Sequence, residues 1–390
     1  MKLVELKEVV DSIEYGYTAS ACPEKIGPHF LRITDIQDNH VNWARVPYCD
    51  CPKNGASRYR LQAGDLVFAR TGATTGKSYL IEDLPEEAVF ASYLIRVRPS
   101  AVTDPKFLSY FFKSSHYWHQ INENATGAIQ PSVNGTKLSR LKIPLLSNEK
   151  QKEIVRVLSA VEAAIDKRRE AIGLLDDFLK STFLDMFGNA RSNSKKLTVR
   201  KLIDVARVIG GGTPSKNCPA YWRGIIPWVS PKDMGGEEIL DTEDHITDLA
   251  VNKSATCLVP KNAVLIVFRS GILAHSVPIA LAGREVALNQ DMKALIPKNK
   301  EMMPLYLYGF LNASTEALLQ CVKRGATVQS MDSERFRSFP ILVPPLKQQL
   351  KYVDISENCR NLKQKMKSSE FELQNLLNAL MQKAFKGELA

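Results

Sequence analysis

The sequence predicts an α+β protein in which two α/β domains are written in tandem, each followed by a long helix, with the two helices paired as an antiparallel coiled coil. Three observations carry this. The chain matches itself at one nearly constant offset. Short β-branched and aromatic runs fill the first three-quarters of each copy, and apolar residues at heptad spacing fill the last quarter.

The repeat is clearest late in each copy. Leu138-Ser139-Arg140-Leu141-Lys142-Ile143-Pro144-Leu145 lies against Phe336-Arg337-Ser338-Phe339-Pro340-Ile341-Leu342-Val343, Gln151 falls on Gln349 and Phe187 on Phe385, all 198 residues apart. Gly127-Ala128 matches Gly325-Ala326, each followed by a Gln (Gln130, Gln329). Upstream the match weakens: Leu66-Val67-Phe68-Ala69-Arg70-Thr71-Gly72 resembles Leu265-Ile266-Val267-Phe268-Arg269-Ser270-Gly271, and Gly16-Tyr17-Thr18-Ala19-Ser20 resembles Gly211-Gly212-Thr213-Pro214-Ser215.

Within the diverged parts, Leu66–Ala69, Tyr93–Val97, Val264–Phe268 and Lys293–Ile296 read as strands bounded by Gly, Pro and Asp. Phe107–Asn122 and Met303–Cys321 read as helices near a proline. In the first retained quarter the seam is Ile154, Leu158, Val161, Ile165, Ile172, Leu175 and Leu179, with Arg168, Thr182 and Met186 on the same spacing. In the second it is Ile355, Leu362, Met366, Leu373, Leu376 and Leu380, with Cys359 and Ser369. Charged residues fill the positions between, the pattern of a coiled coil, although an amphipathic helix lying on its own domain shares it. The predicted division is 1–147, helix 148–187, linker 188–197, 198–346, and helix with tail 347–390, and antiparallel pairing would return Ala390 near Met1.

The chain carries 52 Lys plus Arg against 42 Asp plus Glu, a formal charge of +10, which favours polyanions by counterion release. Many soluble proteins share such a charge, so it only raises nucleic acid above other partners. No apolar run approaches the ~18 residues of a membrane helix, and the start lacks a signal-peptide stretch. Seven cysteines at irregular spacing read as free thiols, so a cytoplasmic protein is expected.

This order of diverged domain, heptad helix, diverged domain and heptad helix resembles the specificity subunit of type I restriction-modification systems. The phrases that accompany it are Gly211-Gly212-Thr213-Pro214-Ser215, Tyr221-Trp222-Arg223-Gly224-Ile225-Ile226-Pro227-Trp228-Val229, Ala63-Gly64-Asp65-Leu66-Val67-Phe68-Ala69-Arg70-Thr71-Gly72-Ala73, and Pro344-Pro345-Leu346-Lys347-Gln348-Gln349 before the last helix. The resemblance implies that each diverged domain is a target-recognition domain reading half of a bipartite duplex DNA site. It also implies that the helices fix the gap and dock two modification (methyltransferase) subunits, with restriction (translocase and nuclease) subunits joining through the complex. A related type IIB-like or other multi-subunit system has the same signature. The two copies depart from one another: Tyr15-Gly16-Tyr17-Thr18 stands where the second has Gly-Gly-Thr-Pro, and Asn262-Ala263 replaces Gly64-Asp65.

Candidate chemistry falls short at each place. Thr71-Gly72-Ala73-Thr74-Thr75-Gly76-Lys77-Ser78 resembles a phosphate-binding loop, but Thr71 occupies the first glycine position and Tyr79-Leu80-Ile81 continues as a strand instead of a helix. A tight turn near DNA phosphates, or a plain surface hairpin, fits better. Asp291-Met292-Lys293 has no acidic partner for a metal-dependent nuclease. Cys49 and Cys51 with Cys22, and His116 with His119, are not repeated in the second copy, so no metal is expected. Neither the glycine loop nor the Asn/Asp-Pro-Pro-aromatic segment of an adenine methyltransferase is found. No catalytic residue and no cofactor are therefore predicted; a self-contained enzyme would need such a motif, and a mere coiled-coil scaffold would lack salt-dependent DNA affinity. The expected DNA-facing residues are Arg58, Arg60, Arg70 and Lys77 in the first domain and Thr213, Ser215, Lys216, Lys232 and Arg269 in the second.

Overall fold

The computed structural model describes residues 2–37, 39–52, 57–72, 74–84, 87–123, 133–323, 325 and 328–389. Gly127, Ala128, Gln130 and Ala326 of the repeated phrase, Ala73 of the glycine-rich loop, and the termini Met1 and Ala390 lie outside the described residues. Two compact units form: Met1–Arg169 with Ser368–Ala390, and Glu170–Lys367. No described helix is long and apolar enough to cross a membrane.

In the first unit an antiparallel sheet runs in the order Val10–Tyr15, Leu94–Pro99, Leu66–Ala69, Ser78–Leu80. Leu66 and Phe68 enter the larger core while Val67 packs with Leu31, Val41 and Phe90 on the other face. Burial on both faces is why this strand reads as a continuous apolar run and not as an alternating one. His29–Leu31 pairs in parallel with Ala88–Phe90. A short ladder of Leu3–Glu5 with Lys142–Pro144 ties the chain start to the segment that leads into the first long helix.

The second unit repeats this plan with more strands. Its five-stranded sheet runs Ala206–Gly210, Met292–Pro297, Val264–Val267, Ile279–Ala282, Glu238–Ile239. A four-stranded sheet holds Trp222–Val229 parallel to Val286–Leu288, between His245–Ile246 and Leu258–Val259. Leu66 faces Val97 in the first unit, and Val264 faces Leu295 in the second, so the duplication extends to strand register.

Each predicted domain helix is in fact two. Pro105–Lys113 and Ser115–Glu123 replace Phe107–Asn122, and Pro304–Ala313 and Thr315–Leu319 replace Met303–Cys321. The first break is at Ser114, whose backbone turns extended (ψ 157°) while its hydroxyl donates to the Phe111 carbonyl at 2.6 Å. A side chain that can satisfy the last carbonyls of a helix makes ending it there inexpensive.

The long helices span Asn148–Phe187 and Leu346–Lys386, 40 and 41 residues. In the first unit Arg169 Nε meets Glu370 at 2.7 Å, and Ile154, Leu158 and Ile165 share a core with Leu377, Met381, Ala384 and Phe385. In the second, Lys363 bonds Asp176, and Phe183 and Phe187 pack their rings on Tyr352 at 5.1 and 5.9 Å. Steps forward along one helix match steps back along the other, so the pairing is antiparallel within each unit.

The buried line differs from the expected seam. Ile154, Leu158 and Ile165 are buried and Val161, Ile172, Leu175 and Leu179 half-buried, but the line ends on Phe183 and Phe187 in place of Thr182 and Met186. In the second helix Ile355, Met366, Leu373 and Leu380 are half-buried, whereas Leu362 and Leu376 are 44% and 46% exposed and Lys363 and Leu377 take the inner positions. A strict heptad repeats every 3.5 residues and a straight helix every 3.6, so the two drift apart by ~20° per heptad.

Glu162, on the first long helix, accepts from Tyr110 Oη at 2.7 Å and Lys113 Nζ at 3.1 Å. Burial opposes its charge, yet Lys113, Tyr110 and Lys106 hold its carboxyl below the ordinary value. A carboxyl depressed in the folded state stabilises above its unfolded pKa of about 4.3 and loses that contribution as pH falls through the folded value. Glu162→Gln is therefore expected to melt earlier than wild type at neutral pH and to converge with it in acid. Melting curves taken down the acid limb that stay equally far apart at every pH would contradict this.

Candidate nucleic-acid interface

The basic residues of the first unit are displayed by a buried ion network. Arg96 lies in the core, where burial lowers its pKa and demands partners. Its guanidinium donates to the Glu14 carboxylate, to the Arg60 carbonyl at 2.7 Å and to the Arg58 carbonyl at 3.2 Å. Arg98 grips Asp65 through two bonds of 2.7 and 2.8 Å and reaches the Arg60 carbonyl at 3.3 Å. The backbone of Arg58–Arg60 is thus pinned from below and both side chains are exposed, Arg58 3.6 Å from Glu14 and Arg60 paired with Glu87.

Arg70 and Lys77 flank a hairpin. Ala69 and Gly76–Lys77 exchange backbone bonds of 2.9 Å, and Gly72 and Gly76 both adopt positive φ, 86° and 83°. The strand Ser78–Leu80 follows at once, so no helix start is available to receive a phosphate as a nucleotide loop requires. The Arg70 guanidinium stacks over the Tyr15 ring at 4.9 Å. Lys77 instead lines a groove of about 940 Å³ with Lys106, Lys113 and Glu162.

In the second unit the glycine phrase presses on a strand end. A side chain on Gly211 would come within 2.2 Å of the Leu288 carbonyl, as one on Gly16 would of Ala91 in the first unit. Trp228 Nε1 donates to the Gly212 carbonyl and Trp222 Nε1 to that of Ser215, each at 3.1 Å, so two tryptophans hold the loop that exposes Thr213, Ser215 and Lys216. The Thr213 hydroxyl donates to the Gln290 side chain. Lys216 lines a notch of about 500 Å³ with Trp222, Arg223 and His245. Lys232 is committed internally: Glu243 at 2.8 Å and Asp244 at 2.9 Å raise its pKa. Arg269 is exposed beside Ser330, to which its backbone bridges.

Among the described residues no group of three His, Cys, Asp or Glu is placed to hold a metal, and all seven cysteines are free thiols. The Asp291 carboxylate has the Gln290 amide at 3.3 Å. Sequence reasoning missed Arg96 and Arg98, although an arginine at alternate positions of a strand otherwise buried on both faces is a signal for a buried ion pair.

The profile of the type I restriction modification DNA specificity domain matches residues 1–172 and again 194–375. The EcoR124I/EcoR124II specificity subunit of Escherichia coli is 42% identical over 158 residues, 40% of this chain and 39% of that relative's length. A Methanocaldococcus jannaschii chain bearing the name MjaX type I restriction enzyme specificity subunit is 24% identical over 96% of this chain and 91% of its own. A chain solved in work on complex assembly and conformational transition of the type I R-M system shares the fold with a TM-score of 0.54 at 19% identity, over 100% of this chain and 98% of that one. The chain carries two copies of the type I restriction modification DNA specificity domain in tandem, and it belongs to that family of DNA specificity subunits.

Proposed function

We propose that the chain works in the cytoplasm by reading a bipartite, asymmetric duplex site, with residues 1–147 reading one half and 198–346 the other. In this reading the helices 148–187 and 347–386 set the unspecified gap and dock two modification subunits, through which restriction subunits are directed to the site. Arg58, Arg60, Arg70, Lys77, Thr213, Ser215, Lys216 and Arg269 contact DNA, Arg and Lys taking phosphates or guanine and Thr and Ser phosphates. Lys232 keeps a lesser role, because two carboxylates already neutralise it.

The observation that carries the reading is the repetition of one backbone frame with different side chains on it. Gln151 and Gln349 make the same three bonds in the two units, and Gly16 and Gly211 make the same close approach, while the exposed residues nearby differ. Two readers of unlike sequence on one scaffold need that arrangement.

Replacing 198–346 with the corresponding part of a relative is expected to change one half of the methylated motif and to leave the other intact. Methylation profiling of genomic DNA from cells carrying either version measures this. Simultaneous change in both halves would refute independent reading.

A further inference from the structure

We propose that the turn residues Ser92-Tyr93 in the first unit and Gln290-Asp291 in the second are the base-reading pair of each half-site, each set close to a basic strand end (Arg70 and Arg269). This rests on the DNA-reading function above and deepens it.

The two turns have one backbone. The N–H of Arg70 donates to the Tyr93 carbonyl at 3.1 Å, and that of Phe268 to the Asp291 carbonyl at 2.7 Å, which also accepts from Arg269 N–H at 3.1 Å. The glycine loop crosses the same strand end in both: Tyr17 N–H bonds the Phe90 carbonyl at 2.8 Å and Gly212 N–H the Leu288 carbonyl at 2.9 Å. A third segment closes the site, with Val133 N–H on the Arg70 carbonyl at 3.0 Å and Met331 N–H on the Phe268 carbonyl at 2.8 Å. Every one of these bonds uses main-chain atoms, so the frame does not constrain which side chains the turn carries. Phe268 takes the backbone place of Arg70, with Arg269 one residue further on, and the pair at the turn is replaced.

The side chains themselves suit base edges. Tyr93 is 65% exposed, far more than its ring would be if it served the core. Gln290 is exposed as well, and its carbonyl oxygen is oriented by the Thr213 hydroxyl. A carboxylate such as Asp291 repels phosphates, so on a DNA-facing surface it is tolerated where it accepts from an exocyclic amino group. Cytosine N4 and adenine N6 are the donors of that kind in the major groove, and glutamine pairs with the adenine edge. The second half-site therefore holds adenine or cytosine opposite this turn. Tyr93 has no acceptor of that strength, and its ring fits the thymine methyl in the first.

The test selects duplexes from a randomised DNA pool with the purified full-length chain, as wild type, Tyr93→Ala, Gln290→Ala and Asp291→Asn. Wild type should enrich a two-part motif. Asp291→Asn and Gln290→Ala should each lose about tenfold in preference, or more, at an adenine or cytosine of one half. Tyr93→Ala should relax one position of the other half. Asp291→Asn is isosteric and Tyr93 is exposed, so their melting temperatures should match wild type, and either one suffices if the other misfolds. A variant motif identical to the wild-type motif at equal affinity overturns the assignment of the turns, as does relaxation of both halves by one substitution. A wild-type chain that enriches no motif overturns the DNA-reading function itself.

Discussion

Gln349→Ala is expected to destabilise the second unit by about 3 kcal/mol, because it strands one buried and two part-buried backbone groups, at ~1–3 kcal/mol for a fully buried one and less for the others. The Gln349 oxygen accepts from Met303 N–H at 2.9 Å, and its amide donates to the Glu301 and Pro344 carbonyls at 2.7 and 2.9 Å. These bonds join the first turn of the second long helix to the lead-in of the helix Pro304–Ala313, and no described backbone group replaces them. For a unit near 200 residues, ~2–4 °C per kcal/mol gives a loss of about 9 °C in the melting temperature. Gln151→Ala should do the same to the first unit, where Asp104 N–H and the Val102 and Leu146 carbonyls bond Gln151 at 2.8, 3.1 and 3.0 Å. The two sets share no partner, so the effects should add in the double variant. Melting followed by calorimetry decides. A Gln349→Ala chain within 2 °C of wild type would mean that the helix start is held by its apolar contacts alone.

That glutamine shows what the sequence could and could not disclose. Its place in the repeat was legible, since identity at a fixed offset needs no structure, but two of its three bonds depend on a segment about fifty residues away. The long helices were legible to within a residue because charged flanks and regular apolar spacing are local properties. Their inner line was not, because small differences in period accumulate along forty residues and bring Lys363 inward where Leu362 was expected. Lys363 is tolerated there because Asp176 and Glu237 surround it, partners that lie on another helix and in a recognition-domain loop. The candidate interface was legible in part for the same reason. Exposed arginines next to glycines suggest a DNA-facing loop, whereas the Arg96 network behind Arg58 and Arg60 joins strands distant in sequence. The breaks at Ser114 and Ser314 hid because serine sits in helices and ends them equally well.

The paired helices should act as a ruler for the gap between half-sites. Because they run antiparallel, lengthening one alone would put its apolar line out of register with the other. Seven residues added after Ile172, with seven more at the facing part of the second helix around Met366, keep both lines in phase. Those positions lie between the Arg169–Glu370 and Asp176–Lys363 contacts, so neither ion pair is cut apart. Seven residues lengthen a helix by about 10 Å, and duplex DNA rises ~3.4 Å per base pair. The preferred gap should therefore grow by about three base pairs, less if the helices lie oblique to the DNA axis. The half-site sequences should stay as they are, since no loop bearing Arg58, Arg70, Thr213 or Arg269 is altered. Affinity should fall, because three base pairs also rotate one half-site relative to the other by roughly a third of a turn of about ten base pairs. The readout is methylation, by the chain assembled with its modification subunits, of a DNA library carrying fixed half-sites at varied gaps. A preferred gap that ignores the paired insertion would show that something other than helix length sets the spacing.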